Sequence, residues 1–429
     1  MPHAGDTVKI ITKKETVEGI FMPSSDPNII LLKLKTGYNI GFQKKDVTKI
    51  TMVEKKKETK SIISAITKNK NLPAISILHT GGTIASKVDY RTGGVYAGFT
   101  AEDFLGMFPE MKEVANIRSI HVSNMMSEDM RFKHYQLIAK AIEKEISEGA
   151  DGIIVGHGTD TLAITAAALA FMFENLPIPV MLVGSQRSSD RGSTDAAINL
   201  LCATKFMTKT NFKGIAICMH EQSSDTSCLV MPATKTRKMH TSRRDAFKVV
   251  NGLPLARVDA TNGNIQWLQE YFPAEGKMSL RPKLEEKVAI IKTHINMSPI
   301  FFDALIKEKF KGLILEGTGI GQAPMNIEEN FPNYKALQKF IKSGGIVVLT
   351  SQCIWGAVHS DIYSNCRRLK EIGVIFGKDM LTETAHVKLS WLLANYPRKE
   401  VEKLITQNLR GEINERLEYT NGTKSSDIF

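Results

Sequence analysis

The stretch "AISILHTGGTIASK", Ala74 to Lys87, decides how the rest of the chain is read. An apolar run ends in a threonine, two glycines and a second threonine before small residues resume. A short apolar run closed by turn residues reads as a fully buried strand. Three further stretches are buried-strand candidates: "GADGIIVGHG", "IPVMLVGS" and "GIAICMH". Between these strands lie "HYQLIAKAIEKEI" and "DTLAITAAALAFMF", which carry helical spacing. Strands alternating with helices predict an α/β fold whose mostly parallel sheet is covered on both faces.

Working outward, a second αβ block begins near Lys287 with "KVAIIKTH", "FFDALIKEKFKGLILEGTG" and "YKALQKFIKSGGIVVLTSQ". It closes in helices through "HVKLSWLLANYPRKEVEKLITQNL". Upstream, residues 1–53 alternate apolar and polar in short runs separated by "PSSDPN" and "KTGYN", which predicts a small antiparallel β-barrel. Residues 54–71 are charged and poor in core residues, the composition of a linker. The expected organisation is therefore the barrel at 1–53, the linker at 54–71, an α/β domain carrying the site at 72–275, a second α/β domain at 287–420 and a frayed tail at 421–429.

Bulk properties narrow the class. The chain is 42% hydrophobic and 24% charged, as in soluble globular proteins. No run reaches the roughly 18 apolar residues of a membrane span, and the N-terminus lacks the apolar core of a signal peptide. A cytoplasmic location is expected. Five cysteines, none spaced as a metal-binding or redox pair, predict reduced, buried thiols. The net charge of +11 suits an anionic partner such as RNA, or simply lysine-rich solvated faces.

In open parallel sheets ligands sit beyond the carboxyl ends of the strands. Three strand ends here carry unusual chemistry: Thr80-Gly81-Gly82-Thr83, then "GHGTDT" from Gly156 to Thr161, then "GSQRSSDR" from Gly184 to Arg191. Taken singly, Thr83 would pass as closing a turn. Thr159, Asp160 or Thr161 would pass as the N-cap of the alanine-rich helix, and "SSDRGSTD" as a polar loop. The sequence holds no G-x-x-x-x-G-K-[ST] loop and no H-E-x-x-H, and "GTGIGQ" lacks the third glycine of a dinucleotide fingerprint. ATP, NAD and zinc have no recognisable home in it.

"TGGTIAS" followed by "HGTDT" resembles the L-asparaginase family, whose members hydrolyse side-chain amides through threonine nucleophiles. The resemblance implies a two-domain asparaginase-like α/β fold. It places Thr83 as the nucleophile, Tyr96 in "GGVYAGFT" beside it, and Gly82 and Gly158 where backbone approaches substrate closely. "VSNMMSEDM" resembles the substrate loop, with Ser123 and Asn124 as contacts. "RKMHTSRRDAF" resembles the segment supplying the catalytic lysine, and counting back from Phe247 gives Lys238 rather than Lys235. Thr159, Asp160 and Lys238 then form a second cluster, in which Lys238 has to be neutral part of the time to accept a proton. Which threonine attacks first stays open.

The extra barrel, "GSQRSSDRGSTDAAINL" and "RKMHTSRRDAF" are similar to the branch formed by the D subunits of archaeal glutamyl-tRNA(Gln) amidotransferases. That likeness implies a glutaminase acting on glutamine or asparagine within a ligase complex. A homodimer core would bind two copies of a partner, the E subunit of the amidotransferase, that carries ATP and Mg²⁺ and presents tRNA(Gln). No cofactor or metal is expected on this chain. Two other readings are open. One is a free-standing cytoplasmic asparaginase or glutaminase, which would lack the barrel. The other is a non-catalytic RNA-binding or scaffold protein, motivated by the cluster Lys235, Arg237, Arg243 and Arg244. Asp361 or Tyr363 in "HSDIYSNCRRL" are candidates for a group lent to a neighbouring subunit's site.

Overall fold

The computed structural model describes residues 6–22, 28–34, 39–54, 69–81, 86–88, 95–97, 111, 113–187 and 194–417. Strands β1 (Thr7–Thr12), β2 (Thr16–Met22), β3 (Ile29–Lys33), β4 (Asn39–Gln43) and β5 (Val47–Glu54) form an antiparallel sheet in the order β4-β3-β2-β1-β5. Their alternating pattern turns Val8, Ile10, Ile30, Leu32 and Phe42 onto one buried face. β1 shifts register against β5 between Thr7 and Val8 and between Ile11 and Thr12, the irregularity that curls a small sheet toward a barrel. No β4–β5 pair occurs among the described residues. Residues 55–68 of the expected linker and the tail from 418 lie outside the described residues.

The second unit begins at β6 (Ala74–His79). A separate hairpin follows, β7 (Ser86–Val88) with β8 (Val95–Ala97), and then β9 (Asn116–His121). Beyond β9 come α1 (Phe132–Ser147), β10 (Gly152–Gly156), α2 (Leu162–Met172), the short β11 (Phe173–Glu174), β12 (Pro179–Val183), α3 (Ala196–Lys209) and β13 (Gly214–His220). The chain then makes β14 (Ser227–Pro232), the hairpin β15 (Thr236–Lys238) and β16 (Phe247–Val249), then β17 (Ala256–Asp259), β18 (Ile265–Trp267) and β19 (Ser279–Leu280). The main sheet runs β18-β17-β14-β13-β12-β10-β6-β9. It is parallel from β9 to β13 and antiparallel over the remaining strands.

The apolar strands are continuous because both faces are covered. On β10, Ile153 and Val155 pack into one core while Ile154 packs into the other. The order of the strands also fixes where a ligand can sit. From β6 the chain steps to β9 on one side and returns to β10 on the other. The reversal leaves a crevice between the carboxyl ends of β6 and β10, where adjacent loops diverge.

The third unit is a parallel sheet of β20 (Val288–Lys292), β21 (Gly312–Gly317), β22 (Ile346–Ser351) and β23 (Ile375–Phe376), in chain order. It carries α4 (Ile300–Lys307), α5 (Phe331–Lys342) and α6 (Ser364–Glu371), and continues into α7 (Thr382–Asn395) and α8 (Arg398–Leu404). Helix α2 lies between the main sheet and α7, which explains why "LAITAAALAFM" is apolar nearly all round. Phe171 of α2 stacks on Trp391 of α7 with ring centroids 6.0 Å apart. One apolar core thus runs from Leu78 and Val155 through α2 to Leu392 and Ile413.

A buried ion pair anchors the middle of α7. Lys388 and Glu412 are both fully buried, with Nζ 2.6 Å from Oε1. The remaining N–H groups of Lys388 donate to the carbonyls of Ile405 and Gln407 at 2.9 and 2.5 Å. Glu412 also accepts from the amides of Leu409 and Arg410. Four cysteines are buried thiols, but Cys353 is exposed, because it sits in the loop after β22 rather than on an element facing a core. Among the described residues no helix is long and apolar enough to cross a membrane.

Candidate active site

At the crevice the two strand ends are tied together. Thr80 donates both its amide and its hydroxyl to the Gly156 carbonyl, at 3.1 and 2.9 Å. The next residue, Gly81, has φ +107°, and a Cβ there would stand 2.3 Å from the Met125 carbonyl oxygen. Only glycine admits this approach. The segment 122–126 therefore crosses the end of β6, with the Met125 amide donating to the Thr80 carbonyl at 3.2 Å. Ser123 lies in this segment and its hydroxyl donates to the same carbonyl at 3.1 Å. Asn124 is exposed beside it. Thr83 and Gly82 lie outside the described residues, as does the side chain of Tyr96, whose backbone pairs with Lys87 in the β7–β8 hairpin.

The end of β10 is built more rigidly. His157 Nδ1 is 2.7 Å from the Gly158 carbonyl, an acceptor, so Nδ1 carries the proton and Nε2 accepts from the Thr165 hydroxyl at 2.8 Å. Full burial lowers the pKa of this ring to about 4, which keeps it neutral and fixed in one tautomer. Gly158 packs against Ser127, where a Cβ would come within 2.8 Å of Ser127 Cβ and Oγ. Gly184, at the end of β12, lies under the Thr159 methyl, and a Cβ there would be 2.9 Å from Cγ2. With its methyl against Gly184, Thr159 turns its hydroxyl toward Lys238.

Lys238 Nζ donates to Thr159 Oγ1 at 2.9 Å and to Asp160 Oδ1 at 2.7 Å. Its side chain is 14% exposed, whereas that of Asp160 is 64% exposed. The carboxylate therefore stands at the mouth, with its remaining capacity toward solvent. Thr161 is the residue before α2, but its hydroxyl donates to the Ser127 carbonyl at 2.7 Å and does not cap the helix. None of the three residues Thr159 to Thr161 supplies a side-chain cap, so the capping alternative falls.

Lys235 does not reach this cluster. It is buried and ion-paired with Asp379. The other members of the basic cluster are likewise engaged: Arg237 with Glu383 at 3.2 Å, Arg243 with Asp245 at 2.7 Å and Arg244 with Asp225 at 2.7 Å. Each of the four cations thus has a carboxylate partner within the chain. At the third strand end, Asp195 accepts from the amides of Gln186 and Arg187 at 3.0 and 3.1 Å, fixing the loop where it leaves the sheet. Ser188 to Ser193 lie outside the described residues. Asp361 bonds Ser360 and Lys370 on the surface, and Tyr363 is exposed. Among the described residues no group of three or more His, Cys, Asp or Glu is placed to hold a metal ion.

Reasoning from sequence missed Ser127, whose carbonyl and side chain brace both Thr161 and Gly158. It also missed Thr165, eight residues beyond His157 in the first turn of α2, whose hydroxyl meets the imidazole. Gly158→Ala tests this bracing. The added methyl should push the loop off Ser127 and lower kcat for amide hydrolysis about tenfold or more, with the circular dichroism spectrum unchanged. Wild-type turnover would mean that the loop does not need to seat there.

Comparison with known proteins agrees with this architecture. The family described as Asparaginase, N-terminal, matches residues 74–271, and the Glutaminase/Asparaginase C-terminal domain matches residues 287–405. The L-asparaginase from Thermococcus kodakarensis superposes with a TM-score of 0.73 at 30% identity, covering 80% of this chain and all of that one. L-asparaginase I from Vibrio cholerae gives 0.69 at 30% identity, covering 80% and 99%. Fold and strand-end geometry thus define an asparaginase-type amidohydrolase. Residues 3–53 match the GatD N-terminal domain, and relatives similar over nearly the whole chain point the same way. The D subunit of glutamyl-tRNA(Gln) amidotransferase from Pyrococcus furiosus is 42% identical over 423 residues, 96% of this chain and 95% of that protein. The corresponding D subunit from Methanococcus maripaludis is 42% identical over 419 residues, 96% and 98%. The chain belongs to the family of glutamyl-tRNA(Gln) amidotransferase D subunits.

Proposed function

We propose that this chain is the glutaminase subunit of a tRNA-dependent amidotransferase. It hydrolyses the side-chain amide of glutamine or asparagine and supplies ammonia for the conversion of Glu-tRNA(Gln) to Gln-tRNA(Gln). The observation that carries the reading is an amine within hydrogen-bond reach of a threonine hydroxyl and an exposed carboxylate, at the reversal point of a parallel sheet. A threonine hydroxyl is a weak nucleophile and needs an adjacent base. In this reading the Thr83 hydroxyl adds to the carboxamide carbon, its proton passes to the leaving nitrogen, the C–N bond breaks and ammonia departs. Water then cleaves the threonine ester and restores the hydroxyl. Lys238 and Thr159 move the proton, and Thr159 is the alternative first nucleophile. Asp160 holds Lys238 and offers its open side to the substrate's α-ammonium, while Tyr96, Ser123, Asn124, Gly82 and Gly158 shape the binding surface.

Amidating a carboxylate requires activation, for which this sequence holds no Walker-type phosphate loop. We assign ATP, Mg²⁺ and the tRNA contacts to a partner, the E subunit of the amidotransferase, bound two-to-two around a homodimer of this chain in the cytoplasm. The test is ammonia release measured with and without the partner and Glu-tRNA(Gln). Low activity alone, stimulated by both together, is expected. Full activity from the isolated chain would favour a free-standing asparaginase instead.

A further inference from the structure

Three of the four residues preceding Lys238 are gripped by the C-terminal unit. The Thr384 hydroxyl donates to the Thr234 carbonyl at 2.9 Å, and Thr234 in turn donates to the Arg410 carbonyl at 3.0 Å. Lys235 is ion-paired with Asp379, both side chains no more than 5% exposed. Arg237 pairs with Glu383 of α7. Lys238 alone reaches the other way, to Thr159 and Asp160 of the N-terminal unit.

The second strand of the hairpin is anchored at the same place. Val250, just past β16, donates its amide to the Lys235 carbonyl at 2.8 Å. Asn251 exchanges hydrogen bonds with the Gly356 backbone, both at 3.0 Å, and donates to the Asp379 carbonyl at 3.3 Å. Asn414 donates its amide and side chain to the Asp379 carboxylate at 3.0 and 2.9 Å. Both feet of the hairpin therefore meet at one buried aspartate.

We propose that Asp379, acting through Lys235, is a positioning residue for the amine of Lys238. The hairpin is a cantilever: Asp379 clamps its base, and the opposite end of β15 holds Lys238 against the threonine hydroxyl. A proton-transferring group has to sit within a few tenths of an ångström of its partner, and displacement by about 1 Å can cost a hundredfold in rate. A three-residue strand whose register with β16 extends over only three pairs does not hold that tolerance unaided. The buried pair at its base does. Charge burial of this kind contributes little to net stability but fixes one arrangement over its alternatives.

This inference rests on the glutaminase reading, and its test separates the two. Ammonia release is measured on the full chain, with its partner and Glu-tRNA(Gln), for wild type, Asp379→Asn and the double variant Lys235→Met with Asp379→Leu. A wild type that releases no ammonia would defeat the functional reading. Given an active wild type, Asp379→Asn should lower kcat about thirtyfold to a hundredfold with KM changed less than about twofold. The double variant carries no unpaired buried charge but leaves the Asn414 donors without their acceptor, so it should melt below wild type, fold under assay conditions and keep the low kcat. Lys238 should also acylate several-fold faster with an amine-reactive reagent, mapped by peptide mass spectrometry. Recovery of kcat in the double variant would show that the pair only stabilises the fold and would overturn the proposal. Wild-type kcat and wild-type Lys238 labelling in Asp379→Asn would overturn it as well. Should Asp379→Asn fail to fold, the double variant alone decides between the two outcomes.

Discussion

Lys238→Met should lower kcat for glutamine hydrolysis by about a thousandfold, with KM changed only a few-fold, in ammonia-release assays on the partner-bound chain. Methionine keeps the length and flexibility of the stem but removes the only described amine that touches both Thr159 and Asp160. The structural consequence is small. Asp160 is mostly solvated, and the loss of its ion pair leaves a hydrated carboxylate rather than a buried charge. The fall in rate therefore reports proton transfer and not unfolding, which a melting curve would check. Turnover above about a tenth of wild type would remove Lys238 from the mechanism. Thr83→Val, on the same reading, should be equally inactive.

The largest effect on stability is expected at the buried pair Lys388–Glu412. Glu412→Ala leaves the Lys388 ammonium enclosed, with two carbonyls but no counter-charge. Burial already lowers the pKa of this lysine, an effect opposed by Glu412. Removing one member of such a pair typically costs about 3–5 kcal/mol, because the other charge stays desolvated. The segment that unravels is not peripheral. Arg410 donates to the Ala170 carbonyl at the end of α2, so loss of the 409–412 turn also loosens the junction between the two α/β units. Urea unfolding should shift accordingly, and Lys388→Met with Glu412→Leu should recover only part of the loss, because the Leu409 and Arg410 amides lose their acceptor. A midpoint unchanged in Glu412→Ala would mean that solvent reaches this pair.

Most of the fold was legible in the chain because burial on both faces of a strand demands unbroken apolar runs, and β6, β10, β12 and β13 are such runs. The "GHGTDT" strand end and the choice of Lys238 over Lys235 were legible for a different reason: those segments resemble the L-asparaginase family, and the count back from Phe247 carries the lysine's place over. The grip of Asp379 on Lys235 was not legible, since the two are 144 residues apart and only the packed tertiary structure brings them together. The antiparallel strands β14, β17 and β18 were also missed, because strand direction depends on which neighbour the chain returns to. The exposure of Cys353 could not be read either, since a thiol's burial depends on the loop that carries it.

The alanine-rich helix has a consequence for how such a chain can be taken apart. Two recognisable families meet at the stretch between residues 271 and 287, yet no physical seam falls there, because α2 belongs equally to the sheet before it and to α7 after it. Modularity here is a property of ancestry and not of matter. Any rearrangement that duplicates, swaps or transplants one half has to bring along the other half's oily surface, or else invent a replacement for it.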